Sequence, residues 1–121
     1  MKTATKLPKP IDTYVRAINA GDPAALQAAF ADDARVKDVG REFRGKDAIK
    51  EWAAREIFAV KVALDVMKAV ELAGETIVTV KIDGTFDRTG LPDPLLMEHC
   101  FTLGGNKITA LTCRLAEQAQ D

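Results

Sequence analysis

Tyr14, Asp38 and Glu98 are the residues of this 121-residue chain whose types could do chemistry together. A phenol and a carboxylic acid can each donate a hydrogen bond to a carbonyl oxygen, while a second carboxylate takes a proton from the neighbouring carbon and returns it elsewhere. These are the parts of an enolisation. Each residue also has a plainer reading. Tyr14 sits in an apolar helical stripe, where a tyrosine commonly packs in the core with its hydroxyl reaching the surface. Asp38 fits a solvated carboxylate at a strand end. Glu98 stands in LLMEHCFTL, with apolar neighbours on both sides. Buried there it would become neutral and donate a hydrogen bond, whereas facing solvent it would pair with a cation such as Arg114 across a hairpin. Strand alternation sets Glu98 and Cys100 on one face and Met97, His99 and Phe101 on the other. His99 is therefore expected to be structural or to lie at an interface.

The elements that must position these residues are legible in the pattern. Pro8 and Pro10 precede Ile11, Tyr14, Val15 and Ile18 at helical spacing, and Gly21 stops that helix. Asp22 caps a second short helix opened by Pro23, with Leu26 and Phe30 on its inner side. An extended segment from Ala34 to Asp38 follows. A third helix begins near Gly45 and carries Ile49, Trp52, Ala53 and Phe58. From Val60 the period changes to two, giving strands over 60–72 and 75–86 joined by Ala73-Gly74, then a Gly- and Pro-containing loop over 87–94. A last hairpin spans 95–103 and 107–115. Helices first and a meandering sheet afterwards predict an α+β domain, with three N-terminal helices covering one face of a curved, cone-shaped antiparallel sheet. Such a cone encloses a cavity.

A two-residue turn at Gly104-Gly105 would pair residue 103 with 106 and set Leu111 opposite Glu98. Glu98 would then face the cavity, among a lining of Val78, Val80, Ile82, Leu111 and Leu115, with Phe30 and Trp52 as further candidate contacts. The same register holds Cys100 and Cys113 too far apart for a disulfide, so both are expected as free thiols. With one histidine and no Cys-x-x-Cys spacing, a structural zinc site is not expected.

Lys and Arg number 17 against 18 for Asp and Glu, mixed along the chain, so no basic stripe exists to neutralise a phosphate backbone and nucleic acid is not an expected partner. No uncharged apolar run reaches the roughly 18 residues a membrane span requires. The opening MKTATK leads into Leu-Pro-Lys-Pro instead of a signal-peptide core, which makes the cytoplasm the expected location. A 47% hydrophobic, 29% charged composition fits one domain over 1–121, with 1–7 as a flexible N-terminus. Met97, His99 and Phe101, read as the outer face of the sheet, would expose enough apolar area to predict a homodimer through that face.

The order helix, Gly-Asp, helix, then FADDARVKDV, RGKDAIKEW and the long strands resembles the NTF2-like superfamily in its SnoaL-like, ketosteroid-isomerase-like branch. The resemblance runs from Ile11 to about Leu115 and is most specific over Phe30 to Lys46. It implies Asp38 as the proton-shuttling carboxylate, Tyr14 as an oxyanion-hole tyrosine, and Glu98, in place of an aspartate, as the second oxyanion donor. Phe30 and Ala53 stand where supporting tyrosines often occur, and Val39 where a proline often follows the catalytic Asp. What the resemblance implies is proton transfer next to a carbonyl of a hydrophobic small molecule, with no cofactor. Non-catalytic ligand binding, or a cyclase, dehydratase or hydrolase activity, are the other functions of the same fold.

Overall fold

Ile11, Tyr14, Ala17 and Ile18 line the buried side of α1 (Lys9–Ala20) in a computed structural model that describes residues 2–3 and 6–116. Gly21 ends α1 in the left-handed region, φ 67°, which lets the Gly21 and Asp22 amides bond back to Ile18 and Ala17. Asp22 then accepts from the Ala25 amide at 3.1 Å and starts α2 (Pro23–Ala29), with Pro23 needing no donor at the first position. A third helix, α3 (Gly45–Ala53), continues into a π-helical turn, Ala54–Phe58.

The strands are β1 (Lys2–Thr3), β2 (Phe30–Asp38), β3 (Arg41–Arg44), β4 (Ala63–Leu72), β5 (Glu75–Asp83), β6 (Leu96–Gly104) and β7 (Lys107–Leu115). They form one sheet in the order β1-β4-β5-β6-β7-β2-β3, an α+β fold as expected. It differs from the expected meander in that β2 pairs parallel to β7 and in two short strands, β1 and β3, that the pattern does not announce. The chain between β2 and β7 includes α3 and the four strands β3 to β6, long enough for the crossover that a parallel pair demands. Of the stretch expected to be flexible, residues 1, 4 and 5 lie outside the described ones, while Lys2 and Thr3 pair with Glu71 and Val70. β4 starts later than expected because the π-turn and the turn after it occupy the chain up to Lys61.

The inner face of the sheet carries Leu64, Val78, Val80, Phe101, Ile108 and Leu111, all buried against the helices. Tyr14 sits at the centre of this core, its ring edge-on to Phe101 at 5.0 Å and Phe30 at 6.2 Å. Asn19 stitches α1 to β4, its amide donating to the Leu64 carbonyl at 3.0 Å and accepting from the Leu64 amide at 2.7 Å.

The β6–β7 register overturns the expected facing of Glu98 and His99. The turn lies one residue later, at Gly105-Asn106, both at positive φ, so Gly104 pairs with Lys107. That slip alone would set Glu98 opposite Cys113 and leave it facing inward. A β-bulge at Thr109 adds one more residue, and Glu98 pairs with Arg114 while His99 pairs with Cys113. The Thr109 hydroxyl donates to the Thr102 carbonyl at 3.1 Å and so supports the bulge. Met97, His99 and Phe101 therefore face inward, which removes them as an intermolecular surface. Cys100 and Cys113 are free and buried, as expected, but because they occupy opposite faces and not because of distance along one face.

Candidate active site

The helices and the inner face of the sheet leave a cavity of about 450 Å³. Its wall is largely aliphatic, with Ile18, Val62, Leu64, Ile82 and Met97 among the contributors. Polar groups converge on it from four elements: Tyr14 from α1, Asp38 from the end of β2, His99 from β6 and Trp52 from α3. The mouth is rimmed by Val39, Leu91 and Leu115, which are 64, 38 and 45% exposed and rank among the large apolar side chains the protein leaves in water.

Tyr14 and His99 form one unit at the floor. The phenol oxygen lies 3.1 Å from His99 Nδ1, and both residues are buried. Burial pushes the His99 pKa down to about 4, so the ring is neutral at neutral pH. Burial, with smaller contributions from Cys113 and the Asp38 charge, raises the Tyr14 pKa well above its ordinary value, and burial does the same for the Cys113 thiol. The floor is thus uncharged but polar. If Tyr14 donates to Nδ1, the ring proton is on Nε2; if Nδ1 carries it and donates to Tyr14, the phenolic O–H is released. Among the described residues no buried side-chain nitrogen or oxygen lacks a partner, so Nε2, which bonds to none of them, opens onto the cavity. Either tautomer leaves one donor for a ligand.

Asp38 is held by one of its oxygens. Trp52 Nε1 donates to Oδ2 at 3.0 Å, and Arg41 Nη2 donates to the same atom at 3.2 Å. Oδ1 accepts nothing from the described residues, and Asp38 lines the cavity. The side chain is 15% exposed, far from the solvated carboxylate that is its plain reading. Arg41 reaches on to Glu56 Oε1 at 3.1 Å and belongs to the cavity wall.

Glu98 does not. It lies on the opposite face of the sheet, its Oε1 accepting from Arg114 Nε at 2.8 Å, the ion pair that was its other sequence reading. Of the expected lining, Trp52, Ile82 and Leu115 reach the cavity. Phe30, Val78, Val80 and Leu111 are sealed in the core, 0 to 1% exposed, packed under the floor and not lining it. His99, Arg41 and Glu56 are what the sequence reading missed, and the signal for His99 was present in its position next to Glu98. Among the described residues no group of three or more His, Cys, Asp or Glu side chains is spaced to hold a metal. No helix among them is long and apolar enough to cross a membrane.

Residues 11–111 match the SnoaL-like domain family. Among solved structures, a candidate polyketide cyclase of Sinorhizobium meliloti is 26% identical, with a TM-score of 0.80 over 89% of this chain and 95% of that one. A Catenulispora acidiphila protein with a ketosteroid isomerase-like fold, in complex with trimethylamine, is 23% identical, TM-score 0.74, over 90% and 86%. The Δ5-3-ketosteroid isomerase of a Mycobacterium species is 17% identical, TM-score 0.70, over 88% and 89%.

Proposed function

This chain belongs to the SnoaL-like domain family, and from that premise we propose that it is an acid–base enzyme moving a proton next to a carbonyl of a hydrophobic small molecule. One observation carries the reading: a carboxylate with a free oxygen and a neutral hydrogen-bond donor line the same apolar cavity. Asp38 Oδ1 takes the proton from the carbon next to the carbonyl. The Tyr14–His99 pair donates to the oxygen as it gains negative charge, and its donor is worth most there because the floor excludes water. Asp38 then returns the proton to the conjugated γ carbon, which moves the double bond and completes an isomerisation of a β,γ-unsaturated ketone. Nothing in this exchange of protons requires a cofactor. Glu98, on the outer face, has no part in it.

A cyclase reading shares the first half of this chemistry, since an enolate formed at Asp38 can attack a second carbonyl of the same molecule. The 26% identity to the candidate polyketide cyclase favours it over dehydration or hydrolysis. A third reading is a binding protein that uses the same apolar cavity without turnover. We further propose a single domain, a cytoplasmic location and a homodimer through the outer face of the sheet, where Ile77, Thr79, Cys100 and Thr112 replace the residues first expected there.

The test is deuterium uptake at carbons next to the carbonyl of a panel of cyclic enones, with a phenolic competitor reporting cavity binding. Wild type is expected to exchange deuterium. Asp38→Asn should lose exchange and keep the phenol, because the amide removes the base and the repulsion of a bound anion together. Tyr14→Phe should lose roughly 10²-fold or more in kcat, the usual cost of one oxyanion donor. A wild type that binds the phenol yet exchanges no deuterium would leave the binding reading standing and remove the catalytic one.

A further inference from the structure

Asp38 and Arg41 face each other across a two-residue turn, Val39-Gly40, paired in register at the end of β2 and the start of β3. The guanidinium uses Nη2 for both its carboxylates, Asp38 at 3.2 Å and Glu56 at 3.1 Å, and its carbon lies 5.7 Å from the centroid of the Phe43 ring. Phe43 in turn lies 6.1 Å from Trp52, whose indole holds the same Asp38 oxygen. Glu56 comes from the π-helical turn, a distortion often found at functional sites because its extra residue re-aims side chains.

We propose that Arg41 is the positioning residue of Asp38, with Glu56 as its second anchor. This rests on the acid–base reading above and adds to it the means by which the carboxylate is aimed. With Oδ2 fixed by donors from two elements, rotation about the side chain is blocked, and Oδ1 is presented to the cavity in one orientation. Glu56 has two effects. It stops Arg41 from swinging out to solvent, and it shares the guanidinium charge. The arrangement is a carboxylate–guanidinium–carboxylate chain with an indole cross-brace. An arginine that served only surface charge balance would not need the second donor on the same oxygen.

Trp52 is the one tryptophan of the chain, so a proton–nitrogen correlation spectrum of the uniformly labelled protein carries one indole resonance. That resonance reads the bond to Asp38 without any substrate. Asp38→Asn gives the reference position for the bond lost or neutralised. Arg41→Met is expected to move the indole resonance toward that reference and to speed exchange of the indole proton with water, and Arg41→Lys to return it most of the way to wild type. In the deuterium assay, Arg41→Met should lower kcat by about 10- to 100-fold, the scale of a misaimed catalytic group, with KM little changed. Glu56→Gln should give a smaller loss of the same kind. An indole resonance unmoved by Arg41→Met would overturn the proposal, as would a lysine variant no nearer wild type than the methionine one. If wild type exchanges no deuterium, the catalytic reading falls while the indole resonance still decides whether Arg41 positions Asp38, so the two fail separately.

Discussion

His99 is neutral in the folded protein because burial brings its pKa to about 4, against 6.5 in the unfolded chain. Between those values the unfolded state binds the extra proton and the folded state does not. Stability from this residue is therefore complete above pH 6.5 and is lost as pH falls toward 4. The loss should reach about 2 kcal/mol by roughly pH 5, before most carboxylates titrate. Urea midpoints of wild type and His99→Gln measured across this range test the account: wild type should weaken with acid and the variant should stay nearly level. Parallel curves would mean that the ring takes up its proton without unfolding. A charged imidazolium would no longer accept from Tyr14 and could only donate to it.

The hairpin that aims Asp38 carries its own strain. Val39 sits at φ 47° and Gly40 at φ 86°, the pair of positive values that a tight two-residue turn demands. Gly adopts this conformation freely, whereas a β-branched side chain clashes with its own backbone there. Strain of this kind costs of order 1–3 kcal/mol and gathers at functional sites. Val39→Asn should raise stability by about 1 kcal/mol, read as a shift of the thermal or urea midpoint. A midpoint that stays in place or drops would show that contacts of the valine at the cavity mouth outweigh the strain. Asn19 works at the same scale: its two bonds to Leu64 copy a strand pair, and Asn19→Ala should cost about 1–2 kcal/mol by leaving half-buried backbone groups unpaired.

For the molecule as a whole, the helices cover the inner face of the sheet and the outer face has Ile77, Cys100 and Thr112 near its middle, flanked by the Glu98–Arg114 pair. Thr79 and Cys100 are only 9 and 3% exposed there. Small apolar and hydroxyl side chains in that setting suit a second sheet laid against the first. Wild type should therefore sediment as a dimer, and Ile77→Lys with Thr112→Lys as a folded monomer. Phe101→Lys, aimed at the face first expected to be outside, should instead unfold the protein, since Phe101 is 1% exposed against Tyr14. A wild type that sediments as a monomer would remove the dimer.

The three helices, the four long strands and the turn at Ala73-Gly74 were legible in the sequence, because periodicity, proline, glycine and capping residues act locally, whereas β1, β3, the π-helical turn and the place of Phe30 at the start of β2 were not. The sequence also carried Tyr14 and Asp38 to one cavity, since each lies near the end or on the buried stripe of an element whose direction the pattern sets. Glu98 was legible only as two alternatives. Tertiary structure chose between them through the bulge at Thr109, a single unpaired residue that no alternation pattern marks and that exchanges the faces of β6. The parallel pairing of β2 with β7, which brings Asp38 beside Cys113, is likewise a long-range contact. Arg41 and Glu56 join Asp38 only because a turn and a π-helical distortion aim them there. Register and side-chain aim are fixed by which backbone groups find partners across the whole fold, and that information belongs to no segment alone.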